Sequence, residues 1–208
     1  MGDAVADSAP LLRRLALAAA ILLAAAGLWQ FGGGLWIHGK AWVAQELIAR
    51  AWDEALAETG AKAGARHAAP PPWPWADTRP VARLEVPALD VDEIVLAGAS
   101  GRTLAFGPGH LDGTAMPGAP GLSVVSGHRD THFRFLEDVQ LGALIRVERP
   151  DGTWQDYRVT QTRIVNVETT RIAQTATGRP RLLLTTCYPF DAIVPGGPLR
   201  YLVLAEGV

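Results

Sequence analysis

The sequence predicts an all-β barrel or sandwich carried behind a membrane-spanning helix. From Thr78 to Val208 the chain is a series of short β-prone runs punctuated by Gly, Pro and Asp, with few long helical periods. Ahead of this body, Leu15 to Ile37 holds no ionisable side chain, and Lys40 to Gly64 carries apolar residues at helical spacing. A formal charge of -2 and a pI near 6.2 leave no basic footprint, so nucleic acid is not an expected partner.

Taken in order, residues 1–14 form a short N-terminal segment ending in Arg13 and Arg14. Residues 15–37 at a 1.5 Å rise span roughly 34 Å, enough to cross a tilted bilayer core. The paired arginines before the run place the N-terminus in the cytoplasm and everything after about His38 outside, with Trp29 and Trp36 at the outer interface. A cleaved signal peptide is the rival reading, since Ala24 to Gly27 offers small residues. The apolar run continues through Leu28, Trp29, Phe31 and Leu35, beyond the 7 to 15 residues of a signal-peptide core, which favours an uncleaved anchor. Either way the body is exported.

In residues 38–64, Ala44, Leu47, Ile48, Ala51, Trp52 and Ala55 recur at i, i+3, i+4 spacing, while Gln45, Glu46, Arg50, Asp53, Glu54 and Glu58 face the other way. This is an amphipathic helix ended by Gly60 or Gly64, its stripe expected to pack on the body. Residues 65–77 are rich in Pro and Trp and read as an extended linker, with Trp73 and Trp75 expected to dock on the domain.

Within 78–208 the expected strands are Ala82 to Val86, Glu93 to Leu96, Leu122 to Ser126, Leu144 to Glu148, Thr153 to Val167 with an interruption, Leu182 to Thr186, and Tyr201 to Ala205. Phe133 to Val139 and residues near Arg171 are the candidate helices. Gly107 to His110 reads as a turn.

Three segments could carry chemistry. Cys187, the only cysteine, ends the run of three leucines and two threonines, and Tyr188-Pro189 stops that strand. A lone cysteine often serves as a small buried hydrophobe, but in an oxidising compartment this one has no partner within the chain and stays a free thiol or pairs with another molecule. His128 lies just beyond the strand Leu122 to Ser126, and Arg200 opens the last strand. A nearby imidazolium or guanidinium lowers a thiol pKa and favours the nucleophilic thiolate. Arginine cannot act as a base at neutral pH, so its task would be to orient substrate or stabilise an oxyanion. Alone, His128 would be a surface polar residue and Arg200 a solvated edge charge. Their specificity comes from combination with Cys187.

His128 and His132 have the four-residue spacing of a zinc helix. Arg129 stands where that motif has Glu, and the segment follows a strand, so the two rings need not share a face. No Gly-rich helix start suggests a nucleotide site.

Ser126-Gly-His128-Arg-Asp-Thr, Leu184-Thr-Thr-Cys187 and the arginine opening the last strand resemble the three signature segments of the sortases, cysteine transpeptidases of bacterial surfaces. Lys40-Ala-Trp42, Pro72-Trp-Pro-Trp-Ala-Asp77, Thr186-Cys-Tyr-Pro-Phe190 and Gly196-Gly-Pro-Leu-Arg200 resemble the sortase class of Gram-negative, largely marine proteobacteria. The resemblance covers nearly the whole chain. It implies a closed eight-stranded β-barrel with short helices and a groove for a Leu-Pro-x-Thr-Gly-type sorting signal on an exported partner protein.

The same resemblance assigns His128 as general acid and base, Cys187 as nucleophile and Arg200 as the substrate-binding, oxyanion-stabilising group, with Thr186 and Tyr188 as candidate oxyanion or substrate contacts. It implies no cofactor. Certain sortases bind calcium through acidic residues in a strand-connecting loop, and no matching cluster is found here, so no metal is expected. The catalytic domain is expected in the periplasm, on a single-pass anchor in the inner membrane, with the acceptor amine unidentified. Two other functions share much of this pattern: a cysteine endopeptidase, which has the same first half-reaction, and a non-catalytic anchored β-domain with Cys187 buried. The Ser-His-Gly-Cys arrangement of L,D-transpeptidases is absent.

Overall fold

The computed structural model describes residues 8–61, 68–171, 178–194 and 196–208. It divides into two compact units, Met1–Val43 and Ala44–Val208. The helix α1 (Ser8–Ala61) begins in the first unit and ends in the second. Within the first unit, Arg13–Gln30 is long and apolar enough to cross a membrane, and none of that stretch is buried. The expected break between a spanning helix and an amphipathic one is thus not a break in the helical backbone, since no Pro interrupts residues 11–61. Of the expected helix ends, Gly60 lies inside α1 and Gly64 lies outside the described residues.

The second unit is a closed barrel of eight strands: β1 (Pro80–Val86), β2 (Val91–Ala97), β3 (Gly109–His110), β4 (Gly121–Ser126), β5 (Leu144–Glu148), β6 (Trp154–Asn166), β7 (Pro180–Cys187) and β8 (Leu199–Gly207). Their order around the barrel is β1-β2-β3-β4-β7-β8-β6-β5, and β5 pairs with β1 to close it. The pairs β2–β3 and β4–β7 are parallel and the rest antiparallel. Closure leaves no unpaired sheet edge.

Period-two alternation fills the interior. Ala82, Leu84 and Val86 of β1, Ile145 and Val147 of β5, Tyr157 and Val159 of β6, Leu182 and Leu184 of β7, and Val203 and Ala205 of β8 form one buried core with Phe133 and Leu136 from the loop after β4. Tyr157 is fully buried and its hydroxyl accepts the Gly118 N–H at 3.0 Å. Burial pushes its pKa up to about 12.

The amphipathic part of α1 packs on this unit as its stripe predicts. Ile48, Ala51, Trp52 and Ala55 are buried, the Trp52 Nε1–H donates to a Glu148 carboxylate oxygen at 3.3 Å, and Gln45 donates to the Phe106 carbonyl at 2.7 Å. The amide of Gln45 thus fixes the helix to the loop after α2 (Gly101–Leu104) while Trp52 fixes it to β5.

Three expectations change. Gly109–His110 is a two-residue strand bridging β2 and β4 rather than a simple turn, too short for alternation to reveal. Trp73 docks edge-on against Phe106 at 5.1 Å between ring centroids, but Trp75 is 83% exposed, because a turn closed by the Ala76 N–H on the Trp73 carbonyl swings it outward. Phe133 to Val139 contains only a 3-10 turn at Arg134–Glu137. The interruption expected in the long strand is a register shift between Val159 and Gln161. Arg171 itself is not helical, and residues 172–177 beyond it lie outside the described residues.

Replacing Trp52 by Ala removes a fully buried indole and leaves Glu148 without its donor, so we expect a loss of about 3–5 kcal/mol of stability, read from urea unfolding. An unchanged midpoint would show that α1 contributes nothing to the barrel. A second expectation follows from Tyr157. Its folded pKa near 12 exceeds the unfolded value near 10, so the unfolded state sheds this proton first as pH rises. The stabilisation is complete below pH 10 and is lost by about pH 12, by up to about 3 kcal/mol. Tyr157→Phe should flatten that decline in pH-dependent unfolding.

Candidate active site

The site is set by strand register. In the parallel pair, Ser126 of β4 lies beside Thr185 of β7, and the Gly127 N–H extends the ladder by donating to the Thr185 carbonyl at 3.1 Å. Two residues beyond that pair, β7 ends at Cys187, while His128 lies in the loop that leaves β4 after Ser126. Across the antiparallel pair, Cys187 is the register partner of Arg200. Cys187 and Arg200 thus share one row, and the loop of His128 leaves the adjacent parallel strand at the same end of the barrel.

Alternation decides the face. Leu182, Leu184 and Thr186 turn into the barrel, so Leu183, Thr185 and Cys187 turn outward. Leu183 joins Leu122, Val124 and Leu202 in a second apolar cluster on that outer face. A cavity of 220 Å³, floored by Leu122, Leu183, Leu202 and Leu204, lies on this outer face beside the first half of β7. The three consecutive leucines are explained: two fill the core and one floors this groove.

Cys187 is a free thiol, partly exposed. His128 is exposed, and its ring has no hydrogen-bond partner among the described residues. No hydrogen bond links it to Cys187, so proton transfer between them requires a side-chain rotation. The Arg200 Nη1 donates to the carbonyls of Gly197 and Leu199, both at 2.8 Å, which leaves Nη2 and Nε without a protein partner among the described residues. The backbone thereby holds the guanidinium in place while one edge of its fork stays open.

Thr186 and Tyr188 are placed differently. Thr186 is buried and its hydroxyl donates to the Gly127 carbonyl at 2.7 Å, joining the residues that precede Cys187 and His128. Tyr188 packs against the core, stacked on Tyr201 at 6.3 Å and edge-on to Phe190 at 6.1 Å. Among the described residues no cluster of three metal-ligating side chains occurs, and His132 is turned away from His128 toward Glu93, with Nδ1 at 2.9 Å from the carboxylate.

The loop after β4 holds residues that reading the sequence missed. Arg129 is 4% exposed, and its guanidinium donates to the carbonyls of Pro189 at 2.8 Å, Ala192 at 2.7 Å and Val194 at 3.4 Å. Arg134 adds a bond to the Phe190 carbonyl at 3.3 Å. The segment carrying His128 is therefore fastened to the segment following Cys187. Gly127 has a matching reason: a Cβ there would meet the buried Phe133 ring at 2.6 Å, so only glycine lets that ring fold beneath the loop. A charged side chain directly after a loop histidine carries no sequence signal of burial, because its partners are backbone carbonyls sixty or more residues away.

A sortase-domain family model matches residues 84–208, which contain His128, Cys187 and Arg200. The chain belongs to the sortase family. Sortase D of Bacillus subtilis (strain 168) is 33% identical to this sortase over 125 residues, 60% of this chain and 62% of that protein, so the chain spans just under two thirds of the relative's length. Sortase A from Corynebacterium diphtheriae is similar in structure, with a TM-score of 0.57 and 29% identity over 64% of this chain and 63% of that one. A sortase D5 transpeptidase from Clostridium perfringens superposes with a TM-score of 0.61 over 80% of this chain and 98% of that one; its 18% identity speaks to the fold alone.

Arg129→Gln should cost roughly 2–4 kcal/mol of stability, since carbonyls of the loop after Cys187 lose a charged donor that also neutralised their burial. Urea unfolding reads this directly, and a loss under about 0.5 kcal/mol would show that the loop is held by other contacts.

Proposed function

We propose that this sortase is a membrane-anchored cysteine transpeptidase acting on a Leu-Pro-x-Thr-Gly-type sorting signal of an exported protein. The observation that carries the reading is the cross-strand pairing of Cys187 with Arg200, with the loop of His128 leaving the adjacent parallel strand at the same end of the barrel. The Cys187 thiolate attacks the threonyl carbonyl, and the C–N bond to glycine breaks as His128 gives its proton to the leaving amine. The acyl group remains on sulfur as a thioester. An incoming amine then attacks that carbonyl, His128 takes its proton, and the thiolate is released.

Arg200 keeps Nη2 and Nε without a protein partner among the described residues, donors suited to the oxyanion that forms in each half-reaction. The Thr186 hydroxyl already donates to Gly127, so in this reading it aligns the two strands, and Tyr188 supports the strand end by packing. The apolar stretch Arg13–Gln30 supports a single-pass anchor in the inner membrane, and the paired Arg13-Arg14 at its start support a cytoplasmic N-terminus with the barrel in the periplasm. The acceptor is an amine on that side.

Full-length protein in detergent, incubated with such a peptide and an amine, should form a thioester on Cys187 visible by mass spectrometry and then an amide product. Cys187→Ala should abolish both, and turnover in that variant would end the reading. Arg200→Lys keeps the charge but not the planar fork, and should lower kcat roughly a hundredfold. Product that forms equally well without amine would identify an endopeptidase instead.

A further inference from the structure

The groove floor is apolar, but its rim is cationic. Arg163, Arg171 and Arg181 line the cavity, and no carboxylate does so among the described residues. Arg163 and Arg171 have no ion-pair or hydrogen-bond partner among the described residues, and Arg181 has Glu206 as its cross-strand neighbour outside the cavity. The chain as a whole carries a formal charge of -2, so this local excess of positive charge is not a sample of the average surface. Register gives the distances. Arg163 pairs with Leu202, one row from the Cys187–Arg200 row, and Arg181 is six residues before Cys187 on β7. At about 3.3 Å per residue the rim lies from about 7 to 20 Å from the nucleophile along the strand.

We infer that this rim selects sorting signals carrying carboxylates just N-terminal to the Leu-Pro-x-Thr segment. The inference rests on the transpeptidase reading and adds the substrate's charge to it. The cavity lies on the outer face beside residues that precede Cys187 on β7, and the acyl half of the peptide is the half that stays while the leaving amine is exchanged. An extended acyl chain reaches the rim with the residues about three to six before the scissile bond. Its leucine meets the apolar floor, and Asp or Glu beyond it meets guanidinia, which bind carboxylates through two parallel N–H donors. A positive groove in a slightly acidic protein also draws acidic chains to itself.

The test compares Asp-Glu-Leu-Pro-Ala-Thr-Gly with Asn-Gln-Leu-Pro-Ala-Thr-Gly and with a third peptide bearing the two acids after the glycine. Binding is measured on full-length Cys187→Ala in detergent, and thioester formation on the unaltered chain. The first peptide should bind about fivefold or more tightly than the second, with the gain shrinking as salt rises. Arg163→Glu should reverse the order against a Lys-Lys-Leu-Pro-Ala-Thr-Gly peptide. Equal affinities, a gain of the same size from acids placed after the glycine, binding of none of the peptides, or a gain insensitive to both salt and Arg163→Glu would each overturn the inference. Thioester formed equally from the first two peptides with equal affinities would overturn it while leaving the transpeptidase reading standing. Absence of thioester from every peptide strikes the transpeptidase reading instead.

Discussion

The parallel pairing of β4 with β7 is the contact on which the candidate site depends. Neither strand follows the other in sequence, and the long excursion between them has to return before Gly127 can donate to Thr185 or Thr186 to Gly127. Because side chains alternate with period two, a slip of one residue in this ladder would turn Cys187 into the barrel and Thr186 out of it. The filled interior forbids that slip: Leu182 and Leu184 are fully buried, and moving them outward would expose two leucines while driving Leu183 and Thr185 into the core. Core packing therefore fixes the outward position of Cys187.

The same pair of strands hands the chain to two loops that would be free to separate, and Arg129 prevents this. A buried guanidinium is costly unless every donor finds an acceptor, and here three main-chain carbonyls of the loop after Cys187 supply them, with Asp130 at 3.4 Å beside Nε. The arrangement works in both directions: those carbonyls lose water on packing against the loop after β4, and the arginine satisfies them. Phe133 fills the space below Gly127 and anchors the same loop to the core. His128 is left exposed at the surface beside this fastened loop.

The outer face of β7 shows how one strand can serve two environments. An ordinary barrel strand would be apolar inside and polar outside, yet Leu183 packs with Leu122, Val124 and Leu202 away from the core. An apolar floor bounded by arginines is matched to an extended peptide with an apolar residue and acidic neighbours, because burial of the one and pairing of the other draw on different parts of the same groove. At the opposite side of the molecule the balance is reversed. Arg83 forms a fork on Asp92, and Arg146 bridges Glu85 and Asp156 while lying over the Trp154 ring at 4.5 Å, so those cations are already engaged with protein partners.

Much of this was legible in the sequence. Seven of the strands follow from alternation and punctuation, the apolar and amphipathic stretches of α1 from their periodicity, and His128, Cys187 and Arg200 from residue type at strand ends, sharpened by the resemblance of their flanking segments to sortases. These are local signals, carried by residues within a few positions of one another. What the sequence could not decide involves distant residues or surroundings: the two-residue β3, the outward turn of Trp75, the burial of Arg129, the inward placement of Thr186, and the gathering of Arg163, Arg171 and Arg181 around one cavity. Each depends on which strands become neighbours when the barrel closes. An arginine written next to a histidine looks solvated until the closed barrel brings three carbonyls to it, and only that closure makes a lone cysteine at a strand end the cross-strand partner of Arg200.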